Sequence, residues 1–492
     1  MILSKTKKKK KKQRKTKMNT QNPNSEPEDS HHLLSKTNVV PKLLKKSAGE
    51  ASCCIFRVPD SLARNNHMAY RPKIVSIGPY HHGEKQLEMI QEHKHRFLEF
   101  FVSKSRKKGM SRQDLVASVS DLEEQIRGSY SENLTDFDTE NLINMMVLDG
   151  CFVLTLFLVV AGKVRYSEIN DPIFRIPWLL PAIRTDLLLL QNQVPFFLLQ
   201  TLFEKSKLVS PSTGLNEIAF VFFGYSIERP EEFWSRHHNL DAKHLLDLIR
   251  KTFIPFSSGD KKPEHSCVRI VRDSKEESET ETPKDCCFKR ICGSKGETSS
   301  DARPFLRLIL SARKLHLRGI KFRPKKNADT LLDIRYNNGV LEIPPLLVDD
   351  FISSMLLNFV VFEQFNTDTT SHITSYVAFL GCLINTEADA TFLTDRGIIE
   401  NYFGSEDEVS AFESEMHRNV KRNHRELGLL EVFEGINEYT SKGWHVSWAE
   451  FKFTHFYSPW TCISSCAALT LLLLTVIQAF FAAYSYFRPP KG

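Results

Sequence analysis

The chain has 492 residues, 41% hydrophobic and 25% charged, enough for one large or two medium domains with a sizeable core. Its net charge of +7 is local: residues 5–17, KTKKKKKKQRKTK, hold ten basic residues and no acid, which leaves 56 basic against 59 acidic residues elsewhere. That balance argues against a basic nucleic-acid-binding body, and ten cysteines without paired CxxC or CxxH spacing argue against a disulfide framework or a zinc module.

Residues 1–50 read as a disordered basic and polar tail. Like charges repel, and nothing apolar offsets the cost of ordering. The tail suits an anionic lipid surface, nuclear import, nonspecific nucleic-acid contact or plain solvation, and a start at Met18 would remove the lysines. No apolar stretch follows the lysines, so a secretory signal peptide is not expected.

A mainly helical domain is expected over 51–455, interrupted by a flexible insertion at 256–303 that is rich in charge, Ser and Thr. Near its start, IVSIGPYHHG (74–83) reads as a short strand through Ile74, Val75 and Ile77, then a Gly78-Pro79 turn. His81 and His82 are the weak functional candidates here. Neighbouring histidines point apart on a strand and about 100° apart on a helix, and metal pairs on one element prefer i, i+4 spacing. His93 and His95 are two apart, which is no better. A rigid hydrogen-bonded loop is the plainer expectation, and no metal or cofactor is assigned.

Helical spacing follows in LEMIQEHKHRFLEFFVSKS, DLVASVSDLEEQIRGSY and DFDTENLINMMVLDGCFVLTLFLVVAG. RIPWLLPAIRTDLLLLQNQVPFFLLQTLFEK gives a helix kinked or broken at Pro195. DAKHLLDLIRKTF closes the first half. The apolar runs at 150–162 and 187–203 are too short or too polar to span a bilayer and read as core. After the insertion, PFLRLILSARKLHLRG is a helix ending at Gly319. Leu332, Ile334 and Tyr336 alternate with charged residues, and Asn338-Gly339 is a type I′ hairpin signal. Helices resume in DDFISSMLLNFVVFEQF, ITSYVAFLGCLIN, EADATFLTDRG and EDEVSAFESEMHRNVKR. Asp149 and Glu363 are lone acids inside apolar runs. Such acids usually pair with a backbone or Arg partner.

The strongest signal is C-terminal. Trp460 to Phe487 is free of charge, longer than the roughly 20 residues a span needs. Ser458 and Pro459 suit the N-cap and first helical position, and Tyr457, Trp460, Tyr484 and Tyr486 suit aromatic belts. Within the span 460–487, Trp460, Leu471, Leu474 and Gln478 mark the membrane residues, and 488–492 is a short tail. Cys462 and Cys466, four apart near one interface, suit reversible lipidation. So short a tail implies insertion after translation, with the body cytosolic and the plasma membrane favoured over internal membranes. A sugar on Asn133, in the sequon NLT, would overturn that orientation.

No GxGxxG, P-loop, GxSxG, HExxH or kinase set is present. Together VSIGPYHHGEKQLEMIQEHKHRFL, MMVLDGCFVLTLF, LLLLQNQVPFFLL, LLDIRYNNGVLEIPPLLVDD, FEQF, TSYVAFLGCLINTEADATFLTDRGIIENYFGSEDEV and SPWTCISSCAALTLLLLTVIQ resemble the plant-restricted domain of unknown function 247 (DUF247) family. The blocks keep the family's order over roughly 53–480. The resemblance implies a plant source, a mainly helical domain and a C-terminal anchor, and it brings no reaction or catalytic residue. Some members are associated with reproductive recognition and self-incompatibility, which would suit a recognition role. Gly381 stands where the family commonly has an acid, and WHVSWAEFKFTHFYSPW looks diverged.

The expected fold is mainly α: a large multi-helix globular body with a minor β-hairpin and a C-terminal transmembrane helix. The expected function is non-enzymatic recognition or signalling at a membrane, through other proteins. No specific nucleic acid or small-molecule substrate is identified. The alternative is a membrane-tethered enzyme using the His81/His82 loop.

Overall fold

The computed structural model describes residues 44–48, 50–63, 67–227, 229, 231–254, 308–366, 368–402, 429–443 and 459–487. The lysine run, the insertion at 256–303 and the helix expected in EDEVSAFESEMHRNVKR lie outside the described residues. Within the span read as tail, Leu44 already forms a β-bridge to Glu132, and the Lys45 N–H donates to Ser131 O at 2.9 Å.

The first half holds α1 (Asp60–Ala63), α2 (Gln91–Arg106), α3 (Arg112–Ser120), α4 (Glu123–Ser129), α5 (Thr139–Val160), α6 (Tyr166–Ile169), α7 (Leu179–Asp186), α8 (Phe196–Ser206), α9 (Leu215–Gly224), α10 (Glu231–Ser235) and α11 (Leu245–Phe253). α5 is the centre, with α2, α3, α8 and α9 packed on it. The Asp138 carboxylate caps its start by accepting the Asn141 N–H at 2.7 Å. Every residue from Met145 to Val159 is buried, so this helix is covered on all sides rather than along one stripe. Gly150 lets α8 close in: a Cβ there would lie 2.5 Å from Leu202 Cδ1.

Two expectations change and one helix is new. DLVASVSDLEEQIRGSY forms two helices, α3 and α4, divided at Asp121 and Leu122. α9, which the periodicity reading passed over, is another largely buried helix against α5. The break expected at Pro195 begins earlier: residues 187–195 are already non-helical, and α8 starts at Phe196.

The second half holds α12 (Ala312–Leu317), β1 (Lys321–Pro324), β2 (Arg335–Asn337), β3 (Val340–Ile343), β4 (Leu346–Val348), α13 (Asp350–Phe365), α14 (His372–Leu383), α15 (Glu387–Thr394), β5 (Ile399–Asn401) and α16 (Leu430–Ser441). α12 is shorter than expected and begins only at Ala312, while Gly319 takes φ 93° just after it. The hairpin is present. β2 and β3 pair antiparallel, and both turn residues have positive φ, 46° at Asn338 and 77° at Gly339, as a type I′ turn requires. β1 adds to β3 in parallel, and β4 pairs with β5 in parallel. α16 lies on the hairpin, with Gly435 against the Tyr336 ring and Tyr439 over Gly339. α13 joins the halves through α11 and α7. There Asn358 Oδ1 accepts the Leu190 N–H at 2.9 Å, while its Nδ2 donates to Ala69 O at 2.8 Å.

The final helix, α17 (Pro459–Phe487), has 29 residues. Its Trp460–Tyr484 stretch is long and apolar enough to cross a membrane, and none of its apolar window is buried. The fold is thus mainly helical, with two small sheets and one exposed apolar helix.

Candidate functional site

Ile74, Val75 and Ile77 do not form the expected strand. Residues 73–78 pair with no strand, and side chains meet their backbone groups instead. Asp186, the last residue of α7, accepts from the N–H groups of Lys73 at 3.0 Å, Ile74 at 2.7 Å and Val75 at 2.9 Å. Asn192 Oδ1 accepts the Ile77 N–H at 2.7 Å, and its Nδ2 donates to Val75 O at 3.0 Å. Asp149 Oδ2 takes the Gly78 N–H at 2.8 Å, while Lys94 Nζ donates to Ser76 O. Lys94 and Asp149 are themselves paired at 2.6 Å, each 1% exposed. A lone buried charge is costly, so each of these two residues requires the other. Burial pushes the Asp186 carboxyl up to about 6, against the three N–H donors that favour its charged form.

Gly78 is fixed by both conformation and space. Its φ is 76°, and a Cβ would sit 2.5 Å from Gln193 O, which also accepts from Tyr130 OH at 3.0 Å. Pro79–His81 then makes one turn of 3₁₀ helix. His81 is buried, with Nδ1 2.7 Å from Glu84 Oε1. An ionised carboxylate only accepts, so the ring proton sits on Nδ1. Nε2 is then a bare lone pair with no partner among the described residues. Burial lowers the His81 pKa, with the Glu84 hydrogen bond pulling the other way; that same bond lowers the pKa of Glu84.

His82 is exposed and meets the edge of Phe137 at 5.8 Å. The two candidate rings therefore diverge. His93 Nδ1 pairs with Asp171 at 2.7 Å, and His95 is exposed on α2. Among the described residues no three His, Cys, Asp or Glu side chains gather to hold a metal ion.

A second buried polar network joins α11 to α13 and α14. His244 caps α11, its Nδ1 accepting the Asp247 N–H at 3.2 Å, so its proton is on Nε2, which donates to Cys54 O at 3.1 Å. Burial lowers the His244 pKa to about 4. Burial also pushes the Asp247 carboxyl up, but His244, Lys251 and Arg250 outweigh it and the net direction is down. Arg250 reaches Glu363 at 2.9 Å. Glu363 also accepts the Thr374 N–H and hydroxyl, both at 2.8 Å, and burial still raises its pKa. Cys54 does not become a nucleophile here: His244 bonds its backbone oxygen, and burial raises the thiol to about 12.

The remaining candidates lie on α17. Trp460, Leu471 and Leu474 are 80%, 65% and 55% exposed, and Gln478 is exposed too. Cys462 is half-buried and Cys466 exposed, whereas Cys53, Cys54, Cys151 and Cys382 are buried. A groove of about 270 Å³ lies between α2 and α3, lined by Leu98, Glu99, Val102, Ser103, Arg106 and Arg112. It is smaller than the roughly 300–1,000 Å³ of usual small-molecule pockets.

Comparison with known proteins decides the family. Residues 55–474 match DUF247, described as a plant protein of unknown function. The chain belongs to the DUF247 family. A UPF0481 protein of Arabidopsis thaliana is 48% identical over 461 residues, covering 93% of this chain and 92% of its own length. A second Arabidopsis UPF0481 protein is 21% identical over 506 residues, covering 89% of this chain and 92% of itself. No solved structure matches. The DUF247 match takes in the side-chain ladder under 73–78, the Arg250–Glu363 network and the first half of α17.

Sequence reasoning overlooked the residues that build the ladder. Lys94, Asp186 and Asn192 match no motif. The available signal was Gln191-Asn192-Gln193 inside an apolar run. Three buried amides need partners, and here all three find backbone ones.

Proposed function

We propose that this DUF247 protein is a single-pass membrane protein whose body acts in recognition or signalling without catalysing a reaction. α17 carries the proposal: a 25-residue apolar stretch, Trp460–Tyr484, with no part of its window buried. The non-enzymatic part is supported by how the buried acids are used. Asp149, Asp186 and Glu363 are all engaged with cations or backbone N–H groups.

The body is assigned to the cytosolic side and the membrane to the plasma membrane. Unbridged thiols at Cys54, Cys151 and Cys382 support a reducing compartment. Asn133 lies exposed in a loop, so its sequon would be accessible in a secretory lumen. Occupancy by a glycan would reverse the orientation. Cys462 and Cys466 are assigned as acceptors of acyl chains from acyl-coenzyme A.

The test is proximity labelling in plant cells with the ligase at the N-terminus. A stable set of membrane-associated protein neighbours, unchanged by His81→Asn and His82→Ala, is expected. Stoichiometric zinc or iron in the purified chain, lost with the same replacements, would instead favour an enzyme using the His81/His82 loop.

A further inference from the structure

We propose that the corner between α2 and α3 is a docking surface for anionic phospholipid headgroups of the bilayer that anchors the chain. The inference rests on the anchored reading of α17 and adds a second contact to it.

Residues 104–112, KSRKKGMSR, hold five cations and no acid. α2 ends at Arg106, and a tight turn holds the next residues: Lys108 N–H donates to Ser105 O at 2.9 Å, Gly109 N–H to Arg106 O at 3.0 Å and Met110 N–H to Ser105 O at 3.1 Å. Gly109 takes φ 82°. A rigid turn thus holds the cations outward. Arg106, Lys107, Lys108 and Arg112 are exposed, and among the described residues none is ion-paired. Only Lys104 is, with Glu168 of α6.

Acids also lie beside them. Glu99 lines the groove, Glu168 is held by Lys104, and Asp114 is held in a capping box by the Ser111 N–H and hydroxyl at 2.8 Å each. The surplus stays positive. Beside it lies the α2–α3 groove, with an apolar floor of Leu98 and Val102 and a rim carrying Arg106 and Arg112. A cationic rim over an apolar floor complements a phosphate attached to an acyl chain. A nucleic acid would be met by the charge alone.

Affinity need not be high. Charge attraction fades within about 8 Å at physiological salt, so a free body would bind weakly. An anchor in the same bilayer turns the contact into an intramolecular one at high effective concentration.

The experiment uses the full chain in nanodiscs of phosphatidylcholine alone or mixed with phosphatidylserine. Amine acetylation at Lys107 and Lys108 is read by mass spectrometry, with exposed Lys314 as the reference. The phosphatidylserine discs are expected to slow acetylation of the two lysines roughly fivefold, with high salt abolishing the difference. Arg106→Gln with Arg112→Gln is expected to remove the protection and leave the body's melting transition in place. Equal reactivity in both discs overturns the inference. So does equal protection in neutral discs given inorganic phosphate or RNA, which would make the corner a general anion site. Failure to insert into either disc would sink the anchored reading of α17 instead.

Discussion

α5 and α17 share a mean hydropathy of 2.2, yet 89% of the apolar window of one is buried in the body and none of the other. Composition alone would send both to a membrane. The difference lies in what each helix offers a neighbour. α5 carries Asp149, which Lys94 of α2 neutralises, and Gly150, which admits Leu202 of α8. These are shape and charge marks that only a protein surface can match. α17 carries no charged residue over its 29 residues, and two of its hydroxyls bond its own backbone: Thr470 Oγ1 donates to Cys466 O at 3.0 Å and Thr475 Oγ1 to Leu471 O at 2.7 Å. A helix without charge whose hydroxyls bond its own backbone suits lipid.

The sharpest way to break that comparison is to put a charge in each helix. Leu154→Arg in α5 leaves an unpaired cation in a fully buried position and is expected to abolish cooperative unfolding, a loss above ~5 kcal/mol. Leu474→Arg in α17 is expected to leave the body's melting transition unchanged while weakening membrane retention by ~3 kcal/mol, read by carbonate extraction. A body unfolded by Leu474→Arg would show that α17 belongs to the core. The next effect tests the charge mark itself. Asp149→Asn keeps an acceptor for the Gly78 N–H but strands Lys94, and should cost ~3–5 kcal/mol in chemical denaturation. Adding Lys94→Met should restore part of that loss, and simple additivity of the two would refute the pairing.

Much of this was legible beforehand, because long runs of one period leave few alternatives. α5, α13, α14 and α17 follow from their apolar runs, with Pro459 at the start of α17, and the hairpin from Asn338-Gly339 and the alternation before it. The strand at Ile74–Ile77 failed for a physical reason. Its β-branched residues describe an extended backbone correctly, but extension does not specify the partner. Asp186 and Asn192, more than a hundred residues away, act where a neighbouring strand would. β1, β4 and β5 were missed because three- or four-residue strands carry almost no periodic signal. His81 and His82 looked alike in sequence and separate only in space, one buried on Glu84 and the other in solvent.

A milder challenge uses pH on the second network. His244 has its pKa lowered from 6.5 to about 4, so the unfolded chain takes up a proton first as pH falls. Its stabilisation is therefore complete above about pH 6.5 and is lost on the way down toward 4, by at most ~3 kcal/mol. Asp186, raised to about 6, acts with the opposite sign between roughly 6 and 4, because there the folded chain holds the extra proton. The wild-type curve is thus a partial cancellation. His244→Asn keeps an N-cap acceptor for the Asp247 N–H and removes the titration. Its stability should fall less steeply than the wild type's from pH 6.5 to 4, and parallel curves would mean that His244 titrates normally.

The smallest expected effect concerns how α17 is held. Replacing Cys462 and Cys466 by Ser should change membrane retention hardly at all, since an inserted helix already exceeds what an acyl chain adds. The informative readout is chemical. Attack by a cysteine sulfur on acyl-coenzyme A forms a new thioester and releases coenzyme A, and hydroxylamine reverses the product. Hydroxylamine-dependent acyl exchange should therefore label the wild type on these two thiols and vanish in the double Ser variant. The four buried cysteines among the described residues of the body supply the contrast within the same chain: Cys54, Cys151 and Cys382 have pKa values raised by burial, and none of the four is open to an acyl donor while the fold is intact. Label that survives the double replacement would place acylation elsewhere and leave the two α17 cysteines as packing residues. No label on the wild type in plant membranes would remove acylation from the anchor altogether.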